Sequence, residues 1–165
     1  MEIRRATETD FIAMWPIFHA VVASGTSYVF APDTNRQGAF EYWFGTGAQT
    51  YVAQEAGQIV GMYKLTANQR DLGSHVANAS FMVDPGHGGH GVGKAMGLHC
   101  LAEARRAGFA AMQFNFVVST NDAAVSLWKK LGFAIVGTLP KAFAHQQLGL
   151  VDAYVMYRFL DDIET

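Results

Sequence analysis

The run Asp84-Pro85-Gly86-His87-Gly88-Gly89-His90-Gly91-Val92-Gly93-Lys94-Ala95 places five glycines within twelve residues, directly ahead of a helical pattern. So many positions without a side chain indicate a backbone that something approaches closely. Successive N–H groups at a helix start form a cradle for a phosphate, and Lys94 adds positive charge in the first turn. Other chemistries fit less well. Gly88 and Gly93-Lys94 have the spacing of a GxxxxGK loop, yet Ala95 stands where that loop needs a magnesium-binding hydroxyl. The dinucleotide fingerprint GxGxxG starts well at Gly89 and Gly91 but meets Lys94 in place of its third glycine. His87 and His90 have no third ligand nearby, so no metal is expected. What survives is a cradle for a pyrophosphate, or a glycine-rich turn that only connects strand to helix, although such a turn seldom needs four glycines.

A second set of residues is polar where the pattern is apolar. Asn78 in HVANASFMV and Asn115 in MQFNFVV interrupt strand-like runs, and Asn121 opens a helix. A buried amide needs partners, so Asn78 and Asn115 either satisfy each other or face a ligand. The loop Ser24–Asn35 is unusually aromatic, with Tyr28 and Phe30. It reads either as a cover over a pocket or as a hydrophobic staple on the sheet.

These residues need elements to position them. Met1–Ala6 alternates as a strand, and a helix follows over about Asp10–Ala23, with Pro16 an irregularity. A short helix covers Gln37–Phe44. Strands Thr50–Glu55 and Gln58–Thr66 flank a hairpin signal at Ala56-Gly57. Ser74–Val83 is a strand that enters the glycine loop, and the helix Val92–Ala107 leaves it. Then come a strand Phe109–Val118, a helix Asn121–Leu131 and strands Phe133–Thr138 and Val151–Leu160, the last two separated by a loop through Pro140 and His145. The order is α/β, with hairpins first and a βαβαβ run after, and it reads as one mixed-sheet domain over residues 1–165.

Composition bounds the partners. Half of the 165 residues are hydrophobic, 16% are charged, and the formal charge is −2. There is no basic cluster for a nucleic acid, and no apolar run of membrane-spanning length. Cys100 is the only cysteine, which excludes an intrachain disulfide and fits a reducing, cytoplasmic setting.

The run Val83–Lys94 resembles the acetyl-CoA signature of the GCN5-related N-acetyltransferase (GNAT) family. The run Asn121-Asp122-Ala123-Ala124-Val125-Ser126-Leu127-Trp128-Lys129-Lys130-Leu131-Gly132-Phe133 resembles that family's second signature, in the right order and spacing. The resemblance implies the GNAT fold, a splayed mixed sheet of about seven strands flanked by about four helices. It implies that acetyl-CoA, a co-substrate, lies with its pyrophosphate on the amides of Gly88, Gly89, His90, Gly91, Val92, Gly93 and Lys94. Phe81 and Val83 would pair with its pantetheine arm, beside Asn121. A backbone N–H near Met82 would polarise the acetyl carbonyl, and the amine would attack directly. Dimers are common in the family, so a homodimer is one option for assembly.

The finer likeness is to acetyltransferases of the azetidine-2-carboxylate and phosphinothricin type. It implies a small, amino-acid-like amine as acceptor, oriented by Asn78 and Asn115 and covered by Tyr28 and Phe30. Two positions depart from the family. Gly88 replaces the usual Arg or Gln, and Trp128 replaces the Tyr that protonates the departing thiolate. Indole N–H is no proton source at neutral pH. For the general base, His75, His145, Glu41 and a water relayed through Asn78 and Ser80 all stay open. Acetylation of a protein or peptide is an alternative, as is a non-catalytic acyl-CoA sensor.

Overall fold

The computed structural model describes residues 1–164. Its seven strands are β1 (Glu2–Arg5), β2 (Gln49–Glu55), β3 (Gln58–Ala67), β4 (Val76–Val83), β5 (Ala111–Val118), β6 (Ala134–His145) and β7 (Gly149–Phe159). Four helices accompany them: α1 (Phe11–Ala23), α2 (Arg36–Phe44), α3 (Val92–Arg106) and α4 (Asp122–Lys130). The strands form one sheet in the order β1-β2-β3-β4-β5-β7-β6. Every pairing is antiparallel except β4 with β5. That parallel joint requires a crossover, and α3 supplies it. Among the described residues no helix is long and apolar enough to cross a membrane.

Side-chain parity divides the core into two layers. On one face Val60, Ala77, Ala79 and Met112 meet Val92, Met96, Cys100 and Ala104 of α3 and Trp128 of α4. On the other, Val52, Met62 and Met82 meet Met14, Phe18 and Val22 of α1 and Trp43 of α2. Phe18 and Trp43 are fully buried, and each such side chain is worth roughly 1.5–3 kcal/mol of transfer free energy.

Local chemistry accounts for the element ends. Arg4 grips Asp10 with two bonds of 2.7 and 2.9 Å, while Asp10 also accepts from the Thr7 N–H, fixing the approach to α1. Pro16 does not break α1. It deprives only the Ile12 carbonyl of a helical donor, and Ile12 is exposed, so water can serve. Ala56 and Gly57 both take positive φ, the mirror-image turn that suits a tight hairpin between β2 and β3.

The expected loop through Pro140 and His145 is instead a continuation of β6 to His145. Pairing with β7 shifts register between Leu139 and Phe143, where Lys141 has φ +51 and donates its N–H to Asp152 at 2.8 Å. β6 is an edge strand, and an edge bulge tolerates a proline that an interior strand would reject.

Candidate active site

β4 and β5 pair only at Val76 with Ala111 and Ala77 with Met112, then part. On its other side β4 stays in register with β3 as far as Val83. Antiparallel alternation fixes where each backbone group of β4 points. The Asp84 N–H donates to Val60 at 2.9 Å, so Met82, Ser80 and Asn78 also turn their backbone polar groups to β3. Ala79, Phe81 and Val83 turn theirs into the gap. The N–H expected near Met82 is therefore directed to β3, and the Met82 side chain is buried with α1. Phe81, one residue earlier, offers the N–H that faces the gap.

Tyr28, from the loop between α1 and α2, meets that group. Its hydroxyl accepts from the Phe81 N–H at 3.0 Å and donates to the Phe81 carbonyl. Burial pushes the phenol above its ordinary pKa, so it stays neutral and can do both. A cavity of about 250 Å3 lies between the parted strands. Its walls include the rings of Tyr28, Phe30, Tyr42, Phe114, Phe116 and Trp128 with the polar groups of Asn78, Ser80, Asn115 and Asn121. Trp128 is 8% exposed, with ring centres 4.8 Å from Phe81 and 4.7 Å from Phe114. It is a wall of the cavity.

The two strand asparagines do not pair with each other. Asn78 Nδ2 donates to the Gln113 carbonyl at 3.0 Å, replacing a ladder bond where the strands separate. Asn115 is exposed at the rim, donating to Asn68 at 2.7 Å and accepting from Gln113 at 2.9 Å. Asn121 caps α4, its Oδ1 accepting from the Ala124 N–H at 3.3 Å.

The glycine loop follows β4 directly. Asp84 accepts from the Gly86 N–H at 3.1 Å and binds His87 Nδ1 at 3.0 Å, so His87 is engaged within the loop while His90 is exposed. Among the described residues no group of three or more His, Cys, Asp or Glu could hold a metal. Gly89 and Gly91 have φ +79 and +81, and a Cβ on either would project into open space. Glycine there both permits the left-handed backbone and leaves the approach clear. The first helical bond of α3 runs from Ala95 N–H to Gly91 C=O at 3.0 Å, and no side chain caps the helix. The N–H groups of Val92, Gly93 and Lys94 are consequently left over.

Two glycines differ from that pattern. Gly88 is extended, with φ −60 and ψ 143, a conformation open to any residue. Gly93 carries no conformational demand; a Cβ there would lie 3.4 Å from Leu127 of α4, an ordinary packing contact.

None of the three side chains considered as general base lines the cavity. His75 is exposed, and its carbonyl accepts from Ala110 at the start of β5. His145 Nδ1 accepts from the N–H groups of Gln147 and Leu148 in the β6–β7 turn. Glu41 is exposed on α2 and accepts from Gln37.

A cluster behind the wall escapes sequence reasoning. Tyr42 donates its hydroxyl to Ser80 Oγ at 2.5 Å. Lys64 Nζ donates to the Tyr42 carbonyl at 3.0 Å and stands 3.3 Å from the Tyr42 ring centre. Burial pushes the Lys64 ammonium down to about 8. One signal was available: Lys64 has the parity of buried Met62, an odd place for a charge.

This geometry has counterparts. Residues 13–133 match the model of the acetyltransferase (GNAT) family. N-acetyltransferase aca1 of Schizosaccharomyces pombe is 33% identical over 61% of this chain, a match spanning about half (49%) of that protein. The L-amino acid N-acyltransferase MnaT of Escherichia coli is 30% identical over 86% of this chain and 84% of its own. Among solved structures, a GCN5-related N-acetyltransferase from Kribbella flavida superposes with TM-score 0.91, at 40% identity over 96% of each chain. The fold of yncA from Salmonella typhimurium, solved with its cofactor acetyl-CoA, gives 0.87 at 24% identity, covering 100% of this chain and 96% of the other. The chain belongs to the acetyltransferase (GNAT) family and is an acyltransferase.

Proposed function

We propose that the protein moves an acetyl group from acetyl-CoA to the amine of a small, amino-acid-like acceptor. The observation that carries the reading is the parting of β4 from β5, which leaves Phe81 N–H and C=O facing an aromatic cavity. The solved Salmonella relative with acetyl-CoA supports the donor, and the amino-acid acyltransferase relative supports the acceptor class.

The residues present fit this donor. Gly89 and Gly91 keep the approach to the α3 terminus open, and the amides of Val92, Gly93 and Lys94 would meet the pyrophosphate, with Lys94 adding charge. Phe81 and Val83 would pair with the pantetheine arm along the gap, with Asn121 beside it. Acetyl-CoA supplies an activated thioester. Once the Tyr28 hydroxyl gives way, the Phe81 N–H would stabilise negative charge growing on an acyl oxygen in the gap, the logic of an oxyanion hole. It takes the part first expected near Met82.

On the acceptor side, Asn78 and Asn115 orient polar groups, while Tyr28 and Phe30 close over the apolar body. Asn78 keeps its Oδ1 for this, since its amide nitrogen already serves Gln113. Trp128 shapes the pocket and donates no proton. With no carboxylate or imidazole lining the cavity, the acceptor's proton leaves through water held at Asn78 and Ser80.

The test is thiol release from acetyl-CoA with a panel of amino acids, simple amines and peptides, beside melting curves. Stabilisation by acetyl-CoA, none by ATP–magnesium or NAD, and turnover confined to small amino acids are expected. Stabilisation without turnover on any amine would make the protein a sensor. Turnover on peptides alone would move the acceptor to proteins.

A further inference from the structure

The cavity lining contains no carboxylate and no basic side chain; its only ionisable members are Tyr28 and Tyr42. A lysine stands immediately behind it. Lys64 is the register partner of Ser80, which lines the cavity, and its Nζ lies 3.3 Å from the ring centre of Tyr42, which also lines it. We propose, building on the acetyl-transfer reading above, that Lys64 is the specificity-determining charge of the acceptor site, acting through Tyr42 and Ser80 to select acceptors that carry a carboxylate beside the amine.

The surroundings of Lys64 leave its charge unbalanced. Among the described residues no carboxylate forms an ion pair with it. The groups facing it are Tyr42 from α2, the Ser80 position on β4 and the Thr50 position on β2; Tyr42 alone of these can ionise. Burial disfavours its charged form. A desolvated cation without a counter-ion projects its field into nearby low-dielectric space. Here that space is the cavity.

Two consequences follow for an acceptor. A carboxylate is drawn in without any basic residue in the wall. The acceptor's own amine is held toward its uncharged form, which is the form able to attack. A diamine lacks the first benefit, and its second ammonium is repelled. Lys64 does not touch the acceptor; it sets the potential in which the acceptor sits.

The test uses two neutral-amide products differing only in the carboxylate: N-acetylleucine and N-(3-methylbutyl)acetamide. Their binding is measured by calorimetry on the whole protein, with and without CoA. The wild type is expected to bind the acid about tenfold more tightly than the plain amide. Lys64→Met keeps the aliphatic stem and should bring that ratio close to one, chiefly by weakening the acid. Lys64→Arg retains the charge and should restore the preference. Circular dichroism and an unchanged CoA affinity establish that each variant is folded. Equal binding of the two products by the wild type, or a preference that persists in Lys64→Met, overturns the proposal. Absence of CoA binding would instead strike the acetyl-transfer reading, while the product ratio still decides Lys64.

Discussion

Removing one hydroxyl, in Tyr28→Phe, should have two effects of opposite sign. In the free protein that hydroxyl satisfies both backbone groups of Phe81 that face the gap. Each neutral hydrogen bond contributes about 0.5–1.5 kcal/mol net, so the pair is worth about 1–3 kcal/mol. Phe81 is half-buried, and water can partly replace the phenol, which favours the lower end of that range. For a chain of this size each kcal/mol moves the melting temperature by about 2–4 °C, so Tyr28→Phe should melt about 3–6 °C lower. The donor needs those same two groups, so in the wild type it must first displace the phenol. The variant has nothing to displace. At a factor of ten per 1.4 kcal/mol, acetyl-CoA should bind it about five- to tenfold more tightly. Differential scanning fluorimetry and isothermal calorimetry on the two proteins give both numbers. A lower melting temperature together with weaker acetyl-CoA binding would refute the reasoning, because Tyr28 would then be a ligand contact and not a competitor.

Five further outcomes are expected. Gly91→Val should abolish acetyl-CoA binding by calorimetry while the protein still melts cooperatively, because the new side chain would fill the open approach and strain φ +81. Gly88→Arg should tighten acetyl-CoA several-fold, with a gain that fades as salt rises, since the backbone there accepts any residue and the arginine would reach phosphate. Asn78→Ala should lose both about 1 kcal/mol of stability and acceptor kcat/KM, because its amide also serves Gln113. Asn115→Ala, at the exposed rim, should lower kcat/KM with little change in melting. Asp10 offers a pH test: Arg4 and the Thr7 groups hold its carboxyl down at about 2. A depressed carboxylate stabilises fully above its unfolded value near 3.8 and loses that contribution as pH falls toward 2. Asp10→Asn should therefore cost about 1–2 kcal/mol at pH 7, and its melting deficit should shrink below pH 4 and disappear as the pH falls through about 2.

How much of this the sequence carries differs from residue to residue. Gly89 and Gly91 were legible because a left-handed backbone at a helix start admits few other residues. Gly93 sits in the same run without a positive φ, so spacing alone does not tell which of these glycines the backbone conformation requires. The parity of β4 depends on which strand lies on each side, so assigning the N–H to Met82 or Phe81 required the β3 register. Pro140 signals a break in most contexts, but not at a bulge in an edge strand. The Lys64, Tyr42 and Ser80 cluster joins three elements, and no local pattern links residues 64, 42 and 80.

The parted strands also bear on how the chain folds. β1 to β4 are antiparallel neighbours, and so are β5, β7 and β6; neither group needs the other for its pairing. Within them, β2–β3 and β6–β7 are hairpins between strands adjacent in sequence, whose contacts are the quickest to form. The joint at Val76–Ala77 with Ala111–Met112 spans the whole of α3 and rests on two register pairs. Its few bonds should be among the first in the sheet to exchange with deuterium in the native state. The acceptor cavity thus lies along the seam between two antiparallel halves of the sheet, where incomplete closure is the condition for having a site at all.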